Sequence, residues 1–360
     1  MQPYMTLPVA RVRGCALAPA CALGGFLSLS FAIGCRGSER TTPPPARVER
    51  SVGADAPARG EPLIPEAAPL ALPSPVLTGA WAARDASGLR CAWDRTFPSP
   101  WHVPEASAAA EVELRAGIRE ILVVSDSGRR GASMVWSPGA AAPRPITLEL
   151  DALASDDMEG MAWVAQTGGG HLYTLTSSGA VRRYAPDESG AFVRDRDAYR
   201  IGPPPLSCPD LSAVNCGKNW EGLCLRSRGR TSRCAGYVAS KTETALYCVV
   251  YGSEGELTID RSRAPMHLAL GRLFGKEGVL SDCAFGAEGP AEDVLLVTTN
   301  IYGGSATYAV DESTGRVAPL DVSTTPSNEA IAVDSEGSFY AFMDDNGEQS
   351  IAARSTCTGW

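Results

Sequence analysis

The chain has 360 residues, with 32 Lys or Arg and 41 Asp or Glu, which gives a formal net charge of −9 at pH 7. Its basic residues form no stripe or patch, so we expect no nucleic-acid binding. The sequence contains no Gly-x-Ser-x-Gly, His-Glu-x-x-His or phosphate-binding glycine loop, which excludes the common hydrolase, zinc protease and nucleotide-binding signatures.

Residues 1–35 are typical of a bacterial lipoprotein signal peptide. Arg11 and Arg13 precede a largely apolar stretch, and Phe31-Ala32-Ile33-Gly34-Cys35 resembles a lipobox. We therefore predict that Cys35 is lipidated and that the exported protein is anchored in the bacterial cell envelope. Arg36 stands where inner-membrane lipoproteins of this kind carry Asp, which favours the outer membrane. An ordinary signal peptide, cut close to Cys35, is the alternative.

Residues 36–76 are rich in Pro, Ala and Arg. Such a segment has too little apolar surface to offset the entropy of ordering it, so we predict a disordered tether. Residues 77–360 are long enough for one large domain with a sizeable core.

Eight cysteines remain after the two in the signal peptide and the predicted lipidation site. An even number behind a secretory signal indicates disulfides rather than metal ligands. We favour local bridging within 208–248, together with a Cys91–Cys357 bridge that joins the two ends of the domain. The candidates are Cys91, Cys208, Cys216, Cys224, Cys234, Cys248, Cys283 and Cys357.

A short phrase recurs along the folded region: an acidic residue, a small residue, then an apolar run. The copies stand roughly 50 to 60 residues apart, the spacing of a four-stranded sheet plus loops in a repeated architecture. They are Glu159-Gly160-Met161-Ala162, Glu221-Gly222-Leu223-Cys224 and Glu329-Ala330-Ile331-Ala332, with a degenerate copy at Asp282-Cys283-Ala284-Phe285. Each apolar run is a predicted first strand, and two further strand patterns follow it.

The matching second strands are predicted over 171–176, 237–240, 294–299 and 339–343, and the third strands over 181–184, 246–251, 306–310 and 351–354. An earlier unit shows its second and third strands at 120–126 and 133–136. We therefore predict an all-β, five- or six-bladed β-propeller. Residues 79–93 supply a sixth blade or complete the last one, in which case the Cys91–Cys357 bridge would secure the ring. A β-sandwich or two small β domains is the alternative.

Equivalent positions in the blades of a propeller lie at one height, so the repeated acids should meet near one mouth of the central channel. Carboxylates gathered there repel one another unless a cation such as Ca²⁺ binds between them. Alternatively, each acid accepts backbone N–H groups from a neighbouring loop. The predicted metal ligands are Glu159, Glu221, Asp282, Glu329, Asn300 and Asp126, and 344–346 adds further oxygen donors.

The repeated phrase, followed by strands that end in Ser-Asp or Asp-Asp-Asn, resembles the SdiA-regulated and phytase-esterase-like β-propeller proteins. The matching pieces span roughly 120 to 346 and are Val124-Ser125-Asp126, the three Glu phrases and Met343-Asp344-Asp345-Asn346. The resemblance implies a secreted or anchored propeller with bound Ca²⁺ and a hydrolase or binding role. Ala330 in place of Gly, Asp282-Cys283 in place of Glu-Gly and a Cys-rich insertion at 203–234 depart from the pattern.

Together these features predict a membrane-anchored propeller that binds a small molecule or a protein partner and uses Ca²⁺ structurally. The alternative is a Ca²⁺-dependent hydrolase of phosphoesters or esters. A purely structural envelope protein is a third reading. The scarcity of His and Lys counts against the hydrolase, because phosphate sites usually need positive charge beside the metal.

Overall fold

The computed structural model describes residues 90–94, 96–126, 132–150, 157–166, 169–205, 207–226, 234–270, 272–273, 276–286, 294–301, 304–320, 328–343 and 349–358. The chain divides into two units, Met1–Pro73 and Ser74–Trp360, and all of these residues belong to the second. The predictions for the signal peptide 1–35, for Cys35, for the tether 36–76 and for 344–346 lie outside the described residues. Nothing in the described part forms a helix long and apolar enough to cross a membrane.

The described residues form strands and no helix, and most strands belong to five sheets of four or five antiparallel strands. Blade 1 contains β2 (Ala106–Arg115), β3 (Ile118–Ser125), β4 (Ser133–Trp136) and β5 (Arg144–Pro145). Blade 2 contains β6 (Met158–Gln166), β7 (Gly169–Thr176), β8 (Ala180–Pro186), β9 (Phe192–Arg194) and β10 (Tyr199–Arg200). Blade 3 contains β11 (Trp220–Leu225), β12 (Gly236–Ser240), β13 (Ala245–Tyr251), β14 (Leu257–Ile259) and β15 (Met266–His267).

Blade 4 follows a two-stranded hairpin, β16 (Arg272–Leu273) and β17 (Lys276–Glu277). It contains β18 (Val279–Phe285), β19 (Leu295–Ile301), β20 (Gly304–Asp311) and β21 (Arg316–Pro319). Blade 5 contains β22 (Asn328–Val333), β23 (Ser338–Met343) and β24 (Ile351–Thr358), and β1 (Arg90–Trp93) is its fourth strand. The predicted strand triplets are confirmed in blades 2 to 5.

The first strand of each blade is innermost, and each innermost strand contacts the innermost strands of both neighbouring blades. The contacts run β2, β6, β11, β18, β22 and return to β2, which closes a ring. The fold is therefore a β-propeller, as predicted, and the described residues form five blades.

The ring is closed by the first described strand of the chain. β1 pairs with β24, with Cys91 opposite Cys357, and a disulfide joins the two cysteines. This pairing leaves no open edge between the start and the end of the ring. Of the predicted segment 79–93, Arg90–Trp93 completes the last blade, and the Cys91–Cys357 bridge is confirmed. Residues 79–89 lie outside the described residues.

The other six cysteines among the described residues also form disulfides. Cys208–Cys216 and Cys234–Cys248 are local, as predicted. The expectation of local bridging is wrong for Cys224, which pairs with Cys283 across two blades. Cys224 lies on β11 and Cys283 on β18, and these innermost strands are neighbours in the ring, which brings residues 59 positions apart into bonding range.

Apolar side chains fill the spaces between blades. Between blades 2 and 3, for example, Leu175 and Val181 pack with Leu223 and Val238, and all four are fully buried. Alternate residues of each strand face opposite neighbouring blades, so the strands are apolar on both faces. These inter-blade layers hold the innermost strands, and the ends of those strands, at a common height.

The innermost strand of blade 1 escapes a search for the repeated phrase. β2 carries Ser107 where blades 2, 3 and 5 have Glu, and it is rich in alanine, which has low strand propensity. Its pairing with β3 over eight positions overrides that local preference.

Candidate metal centre

Every innermost strand contains a β-bulge near its start. In blade 2, Met158 pairs with Thr176 and Gly160 with Leu175, so Glu159 is the extra residue. The same break in register occurs in the other four blades. The five bulge residues are Ser107, Glu159, Glu221, Ser281 and Glu329. A bulge redirects the side chain of its extra residue, and here it aims equivalent side chains towards one end of the central channel, which we call the acidic mouth.

A second set of equivalent residues borders the acidic mouth. In each blade, the innermost-strand residue just before the bulge pairs with a residue of the second strand. The residue that comes next in sequence after this partner belongs to the second set. In the first four blades these residues are Asp126, Ser177, Lys241 and Asn300. Blades 1 to 4 thus each contribute two described residues to this end of the channel, blade 5 contributes Glu329, and all of these residues are charged or polar.

Three carboxylates meet between blades 1 and 2. Oxygen atoms of Asp126, Asp157 and Glu159 lie within 4.8 Å of one another. Asp157 is buried, and the other two are partly exposed. The structure therefore brings two of the predicted ligands, Asp126 and Glu159, into a group that could hold a metal ion, and adds Asp157 to it.

The loop before blade 3 reaches this group through Ser177. The Ser177 hydroxyl donates a hydrogen bond to Asp157 Oδ2 and accepts one from the backbone N–H of Asn215, at 2.7 Å. Asn215 adjoins Cys216, and the Cys208–Cys216 disulfide closes its loop. The Cys-rich insertion thereby orients one carboxylate of the cluster.

The protonation of Glu159 reflects this crowding. Burial raises the pKa of its carboxyl group well above the usual value, and the negative charges of Glu221, Asp157 and Asp126 raise it further, while Lys241 acts in the opposite direction. Without a cation Glu159 therefore tends to keep its proton, and a cation between these carboxylates would replace that proton.

Glu221 has a different set of partners. Its Oε2 accepts a hydrogen bond from Lys241 Nζ at 2.9 Å, and its Oε1 accepts one from Asn219 Nδ2 at 2.8 Å. Burial raises the pKa of Glu221 to about 7, although Lys241 lowers it. Asn219 reaches this position from a left-handed backbone conformation, φ 46°, which Asn tolerates better than most residues.

Glu329 lies between blades 4 and 5, and the side-chain amide of Asn300 donates a hydrogen bond to its Oε1. Both residues belong to the predicted set. The structure joins them to each other, and Glu329 also acts on the charge of Lys241 across the mouth.

Asp282 does not occupy the position that the sequence repeats predict for it. The sequence pattern aligns it with the three glutamates, but the bulge in β18 makes Ser281 their equivalent and places Asp282 at the position of Gly160 and Gly222. Both oxygens of Asp282 accept backbone hydrogen bonds, at 2.7 Å from Cys283 N and at 2.8 Å from Ile331 N. Asp282 thus joins β18 to β22 between blades.

The two serine bulges join blades in a similar way. Ser107 donates to the backbone oxygen of Met158, and Ser281 donates to that of Asn328 at 2.8 Å. In blades 1 and 4, therefore, the bulge side chain connects innermost strands, whereas in blades 2, 3 and 5 it supplies a carboxylate to the mouth.

Two charged residues of the mouth, Asp157 and Lys241, are absent from the predicted ligands. Asp157 lies two positions before Glu159, so the sequence already indicates that it is close to the Glu159 carboxylate. Lys241 directly follows a predicted second strand, in the position of Asp126 and Asn300. Lys241 is not among the predicted ligands because its side chain offers no oxygen.

The other end of the channel is largely apolar. A small, solvent-open cavity is lined by the later residues of the innermost strands, including Ala162, Leu225 and Phe285. Glu111 is the acidic residue among its lining, and Ser335 donates to it from both backbone and hydroxyl. The concentration of charge is therefore a property of the acidic mouth.

We expect Glu221 to make folding stability depend on pH in the absence of metal. Its folded-state pKa of about 7 lies above the usual 4.5, so the folded protein binds more protons than the unfolded chain between these values. Stability from this group is fully present below pH 4.5 and is lost as the pH rises through 7, by about 3 kcal/mol. In urea denaturation at pH 5 to 8 with chelator, Glu221→Gln should flatten the decline.

Glu243→Gln is the matched control. Burial opposes its ionisation, but hydrogen bonds from Lys218 and Tyr247 lower the pKa of Glu243, so any contribution has the opposite sign and diminishes as the pH falls. Parallel stability curves for the wild type and Glu221→Gln between pH 5 and 8 would contradict the assignment.

Comparison with known proteins identifies no family. No family model matches the chain, and no curated protein matches its sequence. Among solved structures, the chain is similar to an auxiliary nutrient binding protein from Bacteroides thetaiotaomicron, with 14% identity, a TM-score of 0.33, and 66% of this chain and 56% of that chain covered.

It is also similar to fructan 1-exohydrolase IIa from Cichorium intybus, with 8% identity, a TM-score of 0.42, and coverages of 74% and 57%. A protein from Lactobacillus plantarum shows 11% identity, a TM-score of 0.40, and coverages of 69% and 80%. The chain spans 56% and 64% of the first two structures that it matches. These similarities assign no function, and the propeller fold stands on the strand topology itself.

Proposed function

We propose that this protein is an exported, lipid-anchored β-propeller of the bacterial cell envelope that binds one Ca²⁺ at the acidic mouth and uses this end of the channel to bind a ligand or protein partner. The observation that supports the proposal best is the convergence of Asp126, Asp157 and Glu159 within 4.8 Å. The resemblance to SdiA-regulated and phytase-esterase-like propellers agrees with it and stays a prediction.

The donor set suits Ca²⁺ by its chemistry. All three side chains offer carboxylate oxygens, which are hard ligands that favour Ca²⁺ and Mg²⁺ over zinc or copper. The negative charges of these carboxylates repel one another, and this repulsion contributes to the raised pKa of Glu159. A bound divalent cation would remove the repulsion. Asp282 is left out of this site because its oxygens accept backbone hydrogen bonds.

The charge balance of the mouth favours a bound cation over a bound phosphate. Within the described part of the chain, the two residue sets and Asp157 place five carboxylates at the mouth, from Asp126, Asp157, Glu159, Glu221 and Glu329, against the ammonium of Lys241. Because that ammonium already contacts Glu221, little positive charge is left to attract an anionic substrate. The Ca²⁺-dependent hydrolase therefore remains the weaker alternative.

The four disulfides support export. Disulfides persist in oxidising compartments such as the periplasm and the cell surface, and are rare in the cytosol of most bacteria. The pairing of all eight cysteines behind the predicted lipidation site supports an oxidising compartment for the folded domain. Mass spectrometry of the mature N-terminus would test lipidation at Cys35.

We expect metal-free protein to bind about one equivalent of Ca²⁺ in isothermal titration calorimetry. Saturation at a hundred times the dissociation constant should stabilise the fold by about 2.7 kcal/mol. Glu159→Gln and Asp126→Asn should each weaken binding at least tenfold, because each removes a charged ligand. Glu188→Gln, in the exposed turn between β8 and β9, should bind like the wild type.

Failure to bind Ca²⁺, together with a melting temperature indifferent to Ca²⁺ and to chelator, would refute the metal centre. Hydrolysis of p-nitrophenyl phosphate or acetate that stops with chelator and with Glu159→Gln would instead establish the hydrolase.

A further inference from the structure

Lys241 is a cation supplied by the protein itself. It follows β12 at the position that Asp126 and Asn300 occupy in other blades, and its Nζ lies 2.9 Å from Glu221 Oε2. The Glu221 side chain is only 3% exposed, whereas that of Lys241 is 38% exposed. The ammonium therefore sits over a buried carboxylate at the open side of the mouth.

Carboxylates of three blades act on this ammonium. Burial opposes its charge, but Glu221 chiefly, and also Glu329 and Glu159, raise the pKa of Lys241. An ordinary surface ion pair has one partner in one element. Here the cation lies within the field of glutamates at three equivalent bulge positions.

The surroundings of Glu221 offer a further oxygen. Asn219 donates to Glu221 through Nδ2, and its Oδ1 is buried and accepts no hydrogen bond from the described residues. A carboxylate and an amide oxygen side by side are ligands of the kind that Ca²⁺ takes in proteins. The site thus has the oxygen donors of a cation site and already contains a cation.

We propose that the Lys241 ammonium takes the place of a second divalent cation, beside Glu221 and Asn219, and so limits the acidic mouth to one metal ion. This inference rests on the proposed function for one number, the single Ca²⁺ expected in the wild type. A tethered ammonium neutralises one charge and cannot be removed by chelators. Removal of Lys241 should leave the oxygen donors of Glu221 and Asn219 to a soluble cation.

The test counts bound Ca²⁺ in the full mature protein. Lys241→Met keeps most of the side-chain volume and removes the charge, and we expect it to bind two equivalents where the wild type binds one. Lys218→Met is the matched control, since Lys218 pairs with Glu243 instead, and it should bind one. Adding Glu221→Gln to Lys241→Met should return the number to one.

A thermal shift provides a second readout. Ca²⁺ should raise the melting temperature of Lys241→Met more than that of the wild type, because two sites contribute to stability instead of one. Lys241→Gln, with a polar side chain of shorter reach, serves if the methionine variant does not fold.

The outcomes separate the two proposals. One equivalent in both the wild type and the Lys241 variants would overturn the role of Lys241 and leave the metal centre intact. No Ca²⁺ in the wild type but one equivalent in Lys241→Met would refute the metal centre of Asp126, Asp157 and Glu159, while the inference about Lys241 would stand.

Discussion

Replacing both Cys91 and Cys357 by serine is expected to lower the free energy of unfolding by roughly 4 to 5 kcal/mol, because the bond closes a very long loop. The two cysteines are 266 positions apart, so the crosslink removes much of the freedom of the unfolded chain. The same bond holds β1 on β24, and β1 is the strand that joins the start of the ring to its end. Urea denaturation of both proteins measures the difference.

The Cys208–Cys216 bond provides the comparison. Its cysteines are only 8 positions apart, and the same entropy argument gives a smaller loss, about 2 to 3 kcal/mol. Losses of equal size for the two double serine variants would show that ring closure and loop length do not govern the stability. Loss of Ca²⁺ affinity on removing Cys208–Cys216 would also show that this loop orients Asp157 through Ser177.

Gly160→Ala is expected to destabilise the propeller by about 3 kcal/mol or more, the upper range for overpacking a core. A Cβ at Gly160 would lie 2.5 Å from the backbone nitrogen of Leu223, on the neighbouring innermost strand. Backbone atoms cannot move aside as a flexible side chain can, so β6 and β11 would have to separate. Because Glu159 is adjacent, Ca²⁺ affinity should fall together with the melting temperature.

Ala330→Gly is the matched control, because Ala330 occupies the equivalent position in blade 5. The structure accommodates a Cβ there, and its loss should cost about 1 kcal/mol or less through backbone entropy. If Gly160→Ala were as stable as the wild type, the close approach of the innermost strands would not constrain this position.

The repeated phrase could be recognised because adjacent residues meet two structural requirements: a bulge within the strand and close contact with the next blade. In blades 2 and 3, Glu159 and Glu221 are bulge residues, and the glycine after each allows the next innermost strand to approach closely. Both requirements act on adjacent residues, so they leave a signal in a single sequence. In blade 1, Ser107 and Ala108 occupy the same positions at the bulge with different side chains, so the repeated phrase cannot be recognised in the sequence.

The pairing of acids with their partners could not be predicted in the same way. Lys241 and Glu221 lie 20 positions apart, and nothing in the local pattern indicates that a lysine will replace an oxygen donor. The one-residue offset of Asp282 has a similar origin. An aspartate in place of glycine resembles the recurring acid of the phrase, and only the register of β18 shows which residue is extra.

The sequence alone predicts a propeller of repeated sheets, an even number of cysteines after residue 35 and acids that recur at the spacing of a blade, because strand patterns and cysteine number are local properties. Tertiary structure decided that the described residues form five blades, that Cys224 bonds to Cys283, and that the acids divide between a three-carboxylate group, Lys241 and Asn300. These depend on distances between side chains from different blades, which only the closure of the ring determines.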